Sequence, residues 1–358
     1  MNMALLPEKP ESQTVNAIYA YWVNTRNDQP RAYLGGSVIG RECERQLWYS
    51  FRWATGGEAF DGRMLRLFDR GQREEAAFVS DLRGIGCKVV DIDPATGKQF
   101  NFKSISGHAG GSMDAVALGV PEAPKTWHVC EFKTHNAKSF ATLVKDGVEK
   151  AKPEHYAQMQ IYMRWAQLDR ALYLAVNKDD DTLHAERIRA DAAFQDKLEA
   201  KAERIIFAQE PLPGISTDAS FYKCKFCPAA RVCHTSQLPA VSCRTCLHAT
   251  PEKDGDGRWS CAKWGADIPL DAQRTGCASH LYIPALLKRW GEQVNANAVE
   301  NWVDYEAADK FVFRNGPREC GGFASSELAA ATPATLRDGF VKTMREEFGA
   351  KIIQQEAA

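Results

Sequence analysis

Residues 126–134 read TWHVCEFKT, and a little upstream residues 110–114 read GGSMD. An alternation of period two is the mark of a strand, whose successive side chains point to opposite faces. It places Trp127, Val129, Glu131 and Lys133 on one face and His128, Cys130 and Phe132 on the other. A carboxylate and an ammonium therefore point the same way. The upstream piece carries Asp114 on a neighbouring strand, and Gly110, Gly111 and Ser112 before it would let another backbone, or a phosphate, come close.

Outward from this pair the chain reads as a meander of strands: GCKVVDI (86–92), FNFKSIS (100–106), GSMDAVAL (111–118) and TWHVCEFKT, divided by the turn-formers DPATG and GVPEAPK. Upstream, GGSVIGRECERQLWYSFRW (35–53) opens on small turn residues and continues as a helix with Cys43 near its start. A second helix is expected from about Glu58 to Leu82, where Met64, Leu65, Leu67, Phe68, Ala76, Ala77, Phe78 and Leu82 recur at near-helical spacing. Downstream come helices from Ala137 to Lys150 and Pro153 to Gln167, strands ALYLAVN (171–177) and LHAERIR (183–189), and a helix over about 190–208. This order predicts an α/β (α+β) fold with a mixed central sheet flanked by helices.

After EPLPG (210–214) the chain becomes cysteine-dense and turn-rich from Lys223 to about His280, with little room for an apolar core of its own. The tail holds a polar piece, VDYEAADKFVFRNGPRECGGFASSEL (303–328), without a chemical reading, and then a terminal helix in ATLRDGFVKTMREEFG (334–349). Four parts are expected: an N-terminal extension (1–35), the main domain (36–237), a cysteine-rich metal-binding module (238–285) and a small C-terminal segment (286–358).

Composition narrows the function. The 45 basic and 46 acidic residues nearly cancel, so no global positive field draws the chain to nucleic acid, and any such contact needs a local groove. The start, MNMALLPEKPESQ, lacks the basic residues and apolar run of a secretory signal. No apolar stretch approaches the about 20 residues that cross a bilayer. The expectation is a soluble cytoplasmic protein, in a bacterial or phage-infected cell, with no membrane partner. In a reducing compartment its 11 cysteines argue for metal sites rather than disulfides, the more so as seven lie between Cys224 and Cys277.

Two carboxylates and a lysine on adjacent strands suit phosphodiester hydrolysis. Carboxylates hold Mg²⁺ or Mn²⁺, and the lysine orients water or stabilises developing negative charge. An isolated E-x-K triplet is far more often a solvated pair on an edge strand, so the context must carry the reading. That context resembles the PD-(D/E)-x-K nuclease superfamily, in particular the RecB-like and CRISPR-associated exonucleases of the iron–sulfur branch and related phage exonucleases. RGQREE with Glu75, GGSMD with Asp114, EFK with Glu131 and Lys133, and QMQIY with Gln158 and Tyr162 occur in the family's order within residues 36–235, about half of the chain.

The resemblance implies a restriction-endonuclease-like core and a DNA nuclease, an exonuclease acting on duplex ends or single strands in recombination or repair. It makes Asp114, Glu131 and the Phe132 carbonyl metal ligands, gives Glu75 a supporting place on the metal side, and assigns Lys133 to the attacking water. Gln158 and Tyr162, on one helical face, would contact the DNA backbone or position Lys133. Gln72 stands where many RecB-like members carry a histidine ligand, which favours one metal over two. His108 and His135 are the nearby substitutes.

The cysteines form two sets. Cys224-x2-Cys227-x5-Cys233, with Cys43 far upstream, suits a [4Fe–4S] cluster or structural zinc on ligand type alone, and the resemblance favours iron. Cys243-x2-Cys246-x14-Cys261-x15-Cys277 suits a closed structural Zn²⁺ site, with His248 and His280 as rivals for the distal positions. Basic and aromatic residues there, Arg244, Lys263, Arg274, Trp259 and Trp264, are either DNA contacts or the packing of a zinc module. Cys130 reads as a small buried apolar residue. Two other functions compete with the enzyme: a non-catalytic nucleic-acid-binding protein that retains the fold, and a module that recruits a partner such as a strand-annealing recombination protein.

Overall fold

A computed structural model describes residues 12–26, 30–56 and 60–353. The chain opens with α1 (Gln13–Thr25), the two-residue strand β1 (Leu34–Gly35), α2 (Glu44–Phe51) and α3 (Gly62–Gly84). Strands β2 (Lys88–Val90), β3 (Asn101–Ser104), β4 (Ala109–Ser112), β5 (Ala115–Leu118) and β6 (His128–His135) follow. Then come α4 (Ala137–Ala151), α5 (Pro153–Ala166), β7 (Arg170–Asn177), β8 (Leu183–Arg189) and α6 (Ala192–Phe207).

Capping explains where the helices begin. Asp61 accepts a hydrogen bond from the Met64 amide at 2.7 Å, so α3 starts at Gly62; the expected start at Glu58 lies outside the described residues. Asn136 caps α4 and Asp191 caps α6 in the same way, and Pro153 occupies the first turn of α5, where its missing N–H costs nothing.

The central sheet has the order β2-β5-β6-β7-β8, antiparallel except for the parallel β6–β7 pair, which α4 and α5 connect. Helices cover both faces. On one, Val129, Ala171, Tyr173 and Ala175 join the core formed with α4, α5 and α6; on the other, Cys130, Phe132, Leu172 and Leu174 pack on Phe78, Val79 and Leu82 of α3. The Phe78 and Phe132 rings stack with centroids 5.2 Å apart. The two faces of β6 are those the alternation of TWHVCEFKT predicts.

GSMDAVAL, expected as one strand, is two. β4 belongs to a separate small sheet of order β1-β4-β3, whereas β5 belongs to the central sheet, and Met113 and Asp114 form the step between them. The physical reason is packing at the glycines: a Cβ at Gly110 would run into the Phe102 carbonyl and one at Gly111 into the Tyr162 ring, so this stretch is pressed between neighbours before the chain changes sheets.

Beyond α6, the short helices α7 (Tyr222–Lys225) and α8 (Ala230–His234) lead to a small antiparallel sheet of β9 (Ala249–Pro251), β10 (Trp259–Cys261) and β11 (Ala266–Asp267). After α9 (Leu270–Gln273) and α10 (Pro284–Leu287), strands β12 (Glu292–Asn297), β13 (Trp302–Glu306) and β14 (Val312–Asn315) form another, followed by α11 (Ser325–Ala330) and α12 (Gly339–Phe348). Trp259, Leu281, Tyr282, Leu287, Tyr305 and Phe313 lie in one continuous apolar core with Leu47, Trp48 and Phe51 of α2. The cysteine-rich segment thus shares the main core instead of needing one of its own. Among the described residues no helix is long and apolar enough to cross a membrane.

Candidate active site

Asp114 stands in the step between the two sheets, and the Phe132 amide of β6 donates to its Oδ2 at 2.9 Å. One residue either side of Phe132, Glu131 and Lys133 project from the opposite face of β6. Glu131 is fully buried, and its Oε1 accepts a hydrogen bond from the Lys133 ammonium. Its Oε2 is buried with no hydrogen-bond partner among the described residues. Lys133 also donates to the Phe132 carbonyl at 3.2 Å, and Glu75 approaches from α3 near enough for its charge to be felt by Glu131 and Lys133.

The electrostatics follow from crowding three carboxylates around one ammonium. Burial pushes the Glu131 carboxyl above its ordinary range, with the Lys133 charge pulling it back and Asp114 adding repulsion. Asp114 is raised by burial against the pull of Lys133 and the Phe132 amide. Burial and then the Asp114 charge push Glu75 up to about 7. For Lys133, burial opposes the charge, but the carboxylates together outweigh it and raise the ammonium. Such a cluster holds protons it would give up to a cation.

The donor set fits a hard divalent ion. It is made of oxygens, carries a surplus of negative charge, and includes a buried carboxylate oxygen that lacks a partner. As placed, however, no three His, Cys, Asp or Glu side chains among the described residues stand in ion-holding geometry; the Lys133 ammonium lies against Glu131 instead.

A pH dependence follows. A carboxyl whose folded pKa exceeds its unfolded value contributes stability below the unfolded pKa and loses it as pH rises through the folded one. For Glu75 that window runs from 4.5 to about 7, and Glu131 and Asp114 shift in the same direction. The melting temperature measured in EDTA should fall across this window, and added Mg²⁺ should restore it mainly at the upper end. A flat profile would refute the crowding.

The helix side of the site is α5. Tyr162 is buried, with its ring against Gly36 and Gly111, and Gln158 is buried on the same helical face. A Cβ at Gly111 would stand 3.0 Å from Tyr162 Cε1 and closer to its hydroxyl. Gly111→Ala should therefore cost about 1–3 kcal/mol by overpacking and also displace the step that carries Asp114. Urea denaturation together with an activity assay checks both effects, and wild-type values in both would exclude the tight contact.

Two residues not anticipated from the sequence, Tyr173 and His155, complete this side together with His135. Tyr173 pairs in register with Glu131 across β6–β7, and its hydroxyl lies 2.8 Å from His155 Nδ1 and 2.9 Å from His135 Nε2. Burial, then the Lys133 charge, holds His155 well down, to about 3, so it is neutral. A signal existed: His155 lies three residues before Gln158 and seven before Tyr162, on one face of α5.

Both histidines considered as replacement ligands are engaged, although His108 Nδ1 has no hydrogen-bond partner among the described residues. His108 is fully buried, with its Nε2 2.8 Å from the Glu252 carbonyl, and His135 is taken up by Tyr173 and Ser139. Gln72 is exposed, whereas Cys130 is fully buried beside Phe132, as its alternation requires.

The cysteines of the first set lie near enough for their charges to act on one another, though as placed they do not stand in ion-holding geometry. Cys43 is the N-cap of α2, and Cys224, Cys227 and Cys233 come from α7, α8 and the turn between them. Burial, then Cys233 and Cys43, raise the Cys224 thiol; Cys227 is raised by burial and by all three others. Arg45 Nη1 lies 3.7 Å from Cys233 Sγ. Cys243, Cys246, Cys261 and Cys277 line a cavity of 280 Å³ with His248 and His280. Arg244 and Trp259 are buried in the core and present no surface to DNA, whereas Trp264 is exposed.

No protein-family model and no curated protein matches the sequence. Several solved structures align with part of it. SSO0001 aligns at 14% identity and a TM-score of 0.38, over 62% of this chain and 96% of that one. LHK-Exo in complex with dAMP aligns at 18% identity and a TM-score of 0.37, over 53% of this chain and 90% of that one; LHK-Exo is an alkaline exonuclease from Laribacter hongkongensis. A phage-related exonuclease from Haemophilus somnus 129PT aligns at 17% identity and a TM-score of 0.32, over 51% and 93%. These are partial likenesses of backbone.

Proposed function

We propose that the chain is a divalent-cation-dependent deoxyribonuclease that hydrolyses phosphodiester bonds at DNA ends. The observation that carries this reading is the meeting of Glu75, Asp114 and Glu131 around Lys133 at the step between two sheets, with one Glu131 oxygen buried and without a partner among the described residues. Asp114, Glu131, the Phe132 carbonyl and Glu75 would hold one Mg²⁺ or Mn²⁺. When bound, such a cation neutralises the scissile phosphate and acidifies water.

The chain's own residues supply the rest. Lys133, kept charged by the carboxylates, turns from Glu131 to donate to the attacking water or to the phosphoryl oxygen on which charge develops. The water gives up a proton as its oxygen bonds to phosphorus and one ester P–O bond breaks, and the displaced oxygen takes up a proton from solvent and leaves as a hydroxyl. Gln158 and Tyr162, both buried, would position Lys133 from α5 rather than meet the DNA backbone. Cys43, Cys224, Cys227 and Cys233 would hold a [4Fe–4S] cluster as a staple, closing a loop of about 180 residues between α2 and the end of the domain. Cys224→Ala should then lose visible absorption and thermal stability together.

The test is incubation of the purified protein with linear duplex and single-stranded DNA. Degradation with Mg²⁺ or Mn²⁺, abolished by EDTA and slower on circular DNA, is expected. Intact DNA under every divalent ion, with DNA binding retained, would overturn the reading.

A further inference from the structure

Backbone pairing, not spacing alone, gathers the second cysteine set. Cys246 forms an antiparallel bridge with Tyr282, and the Leu247 amide donates to the Leu281 carbonyl at 2.9 Å, which draws the loop bearing Cys277 against the Cys243–Cys246 knuckle. Cys261, at the end of β10, pairs with Ala249, three residues past Cys246. Cys243 Sγ lies 3.4 Å from the Ala272 carbonyl and 3.6 Å from that of Thr275, on the same loop as Cys277. All four thiols line one cavity of 280 Å³.

The two rival histidines are held from outside. His248 Nε2 lies 2.8 Å from Asn301 Oδ1, and His280 Nε2 donates to the Ser242 carbonyl at 3.0 Å. His280 Nδ1 has no partner among the described residues, which makes His280 the sharper rival to Cys277. The thiols do not form a finished shell as placed. An ion would close it by rotating side chains on a backbone already in position.

What this knuckle does follows from the residue between its cysteines. The Arg244 guanidinium enters the main core, donating to the Phe51 carbonyl at 2.9 Å, the Ala32 carbonyl at 2.8 Å and Gln273 Oε1 at 3.0 Å. The turn joining β9 to β10 abuts the turn joining β3 to β4. The Gly257 amide donates to the Ser106 carbonyl at 2.7 Å, Ser106 Oγ donates to the Lys253 carbonyl at 2.6 Å, and His108 meets the Glu252 carbonyl. At Gly107 and Gly257 the two backbones are so close that neither position has room for a Cβ. β4 runs from this contact directly to the step that carries Asp114.

We propose that Cys243, Cys246, Cys261 and Cys277 bind one thiophilic divalent cation, Zn²⁺, as a tetrathiolate, and that this ion latches the β9–β10 turn against the β3–β4 turn that positions Asp114. Closed thiolate shells suit Zn²⁺ and leave no open position for chemistry, so the ion acts on the active site through the backbone.

The test uses the full-length protein and does not need DNA cleavage. Elemental analysis should give about one zinc per chain beside any iron, and Co²⁺ added to zinc-depleted protein should develop a thiolate charge-transfer band. Cys261→Ser and Cys277→Ser should each lower zinc retention and weaken that band by a quarter or more, leaving iron content unchanged. His280→Gln should keep both zinc and the band. Folded wild-type protein that binds neither Zn²⁺ nor Co²⁺ would overturn the site, and loss of metal in His280→Gln with retention in Cys277→Ser would overturn the tetrathiolate. Hydrogen exchange reads the latch in wild-type protein: zinc removal should speed exchange over residues 104–114, and unchanged protection there would overturn that part.

Discussion

Asp114→Asn is expected to abolish DNA hydrolysis while raising the melting temperature of the cation-free protein. Asparagine keeps the shape and an acceptor for the Phe132 amide, which lies 2.9 Å from Oδ2, so the step between the sheets should survive. What it removes is charge. In the free protein that charge is a liability, because it repels Glu75 and Glu131 across a buried site, and its loss should stabilise the fold. In the reaction the same charge binds the cation, and its loss should slow turnover by about a thousandfold or more. An active variant would remove Asp114 from the chemistry, and an inactive but destabilised one would refute the crowding. Lys133→Met, close in length, should be as inactive and should leave Glu131 without its one strong partner.

Arg244→Met should lower stability by about 3–5 kcal/mol in urea denaturation. Methionine fills much of the volume, so the cost comes from the three buried acceptors left behind on Gln273, Phe51 and Ala32. It also comes from the lost stacking on Trp53, whose ring centroid lies 3.7 Å from the guanidinium carbon, and on Trp259 at 4.7 Å. One term runs the other way. Burial, then the nearby Arg52, depresses the Arg244 pKa to about 9, so deleting the charge relieves part of its desolvation. Arg52 itself reaches the Arg244 and Ala208 carbonyls at 3.2 and 3.1 Å and would lose little of its own bonding. A cost below about 1 kcal/mol would mean that neither the hydrogen bonds nor the stacking on the rings anchors this residue.

Glu131 and Lys133 were legible because their face is set by a local rule, the alternation of β6, and no distant contact can change its parity. The partition of GSMDAVAL was not. Small residues are compatible with one strand or two, and the break depends on Tyr162 and Phe102, which approach from elsewhere in the chain. Tyr173 was hidden for the same reason: ALYLAVN reads as an ordinary buried strand, and only the parallel register with β6 sets it opposite Glu131. Arg244 and Trp259 were open to two readings, and burial decides between them. A basic and an aromatic residue in a cysteine-rich stretch suggest a nucleic-acid surface, yet both are sealed inside. The β12–β14 sheet left little trace, since β12, EQVNAN, is mostly exposed and its order comes from pairing with β13.

The bonds from Arg244 to Phe51 and Ala32 span 193 and 212 positions of the chain. On a ribosome the early helices and the central sheet therefore emerge long before the side chain that fills the cage around Trp53. Until then the backbone ahead of Asp114 lacks the turn that braces it. The brace ahead of Asp114 therefore waits for Arg244 and the β9–β10 turn to follow, more than a hundred residues after the strand step it supports.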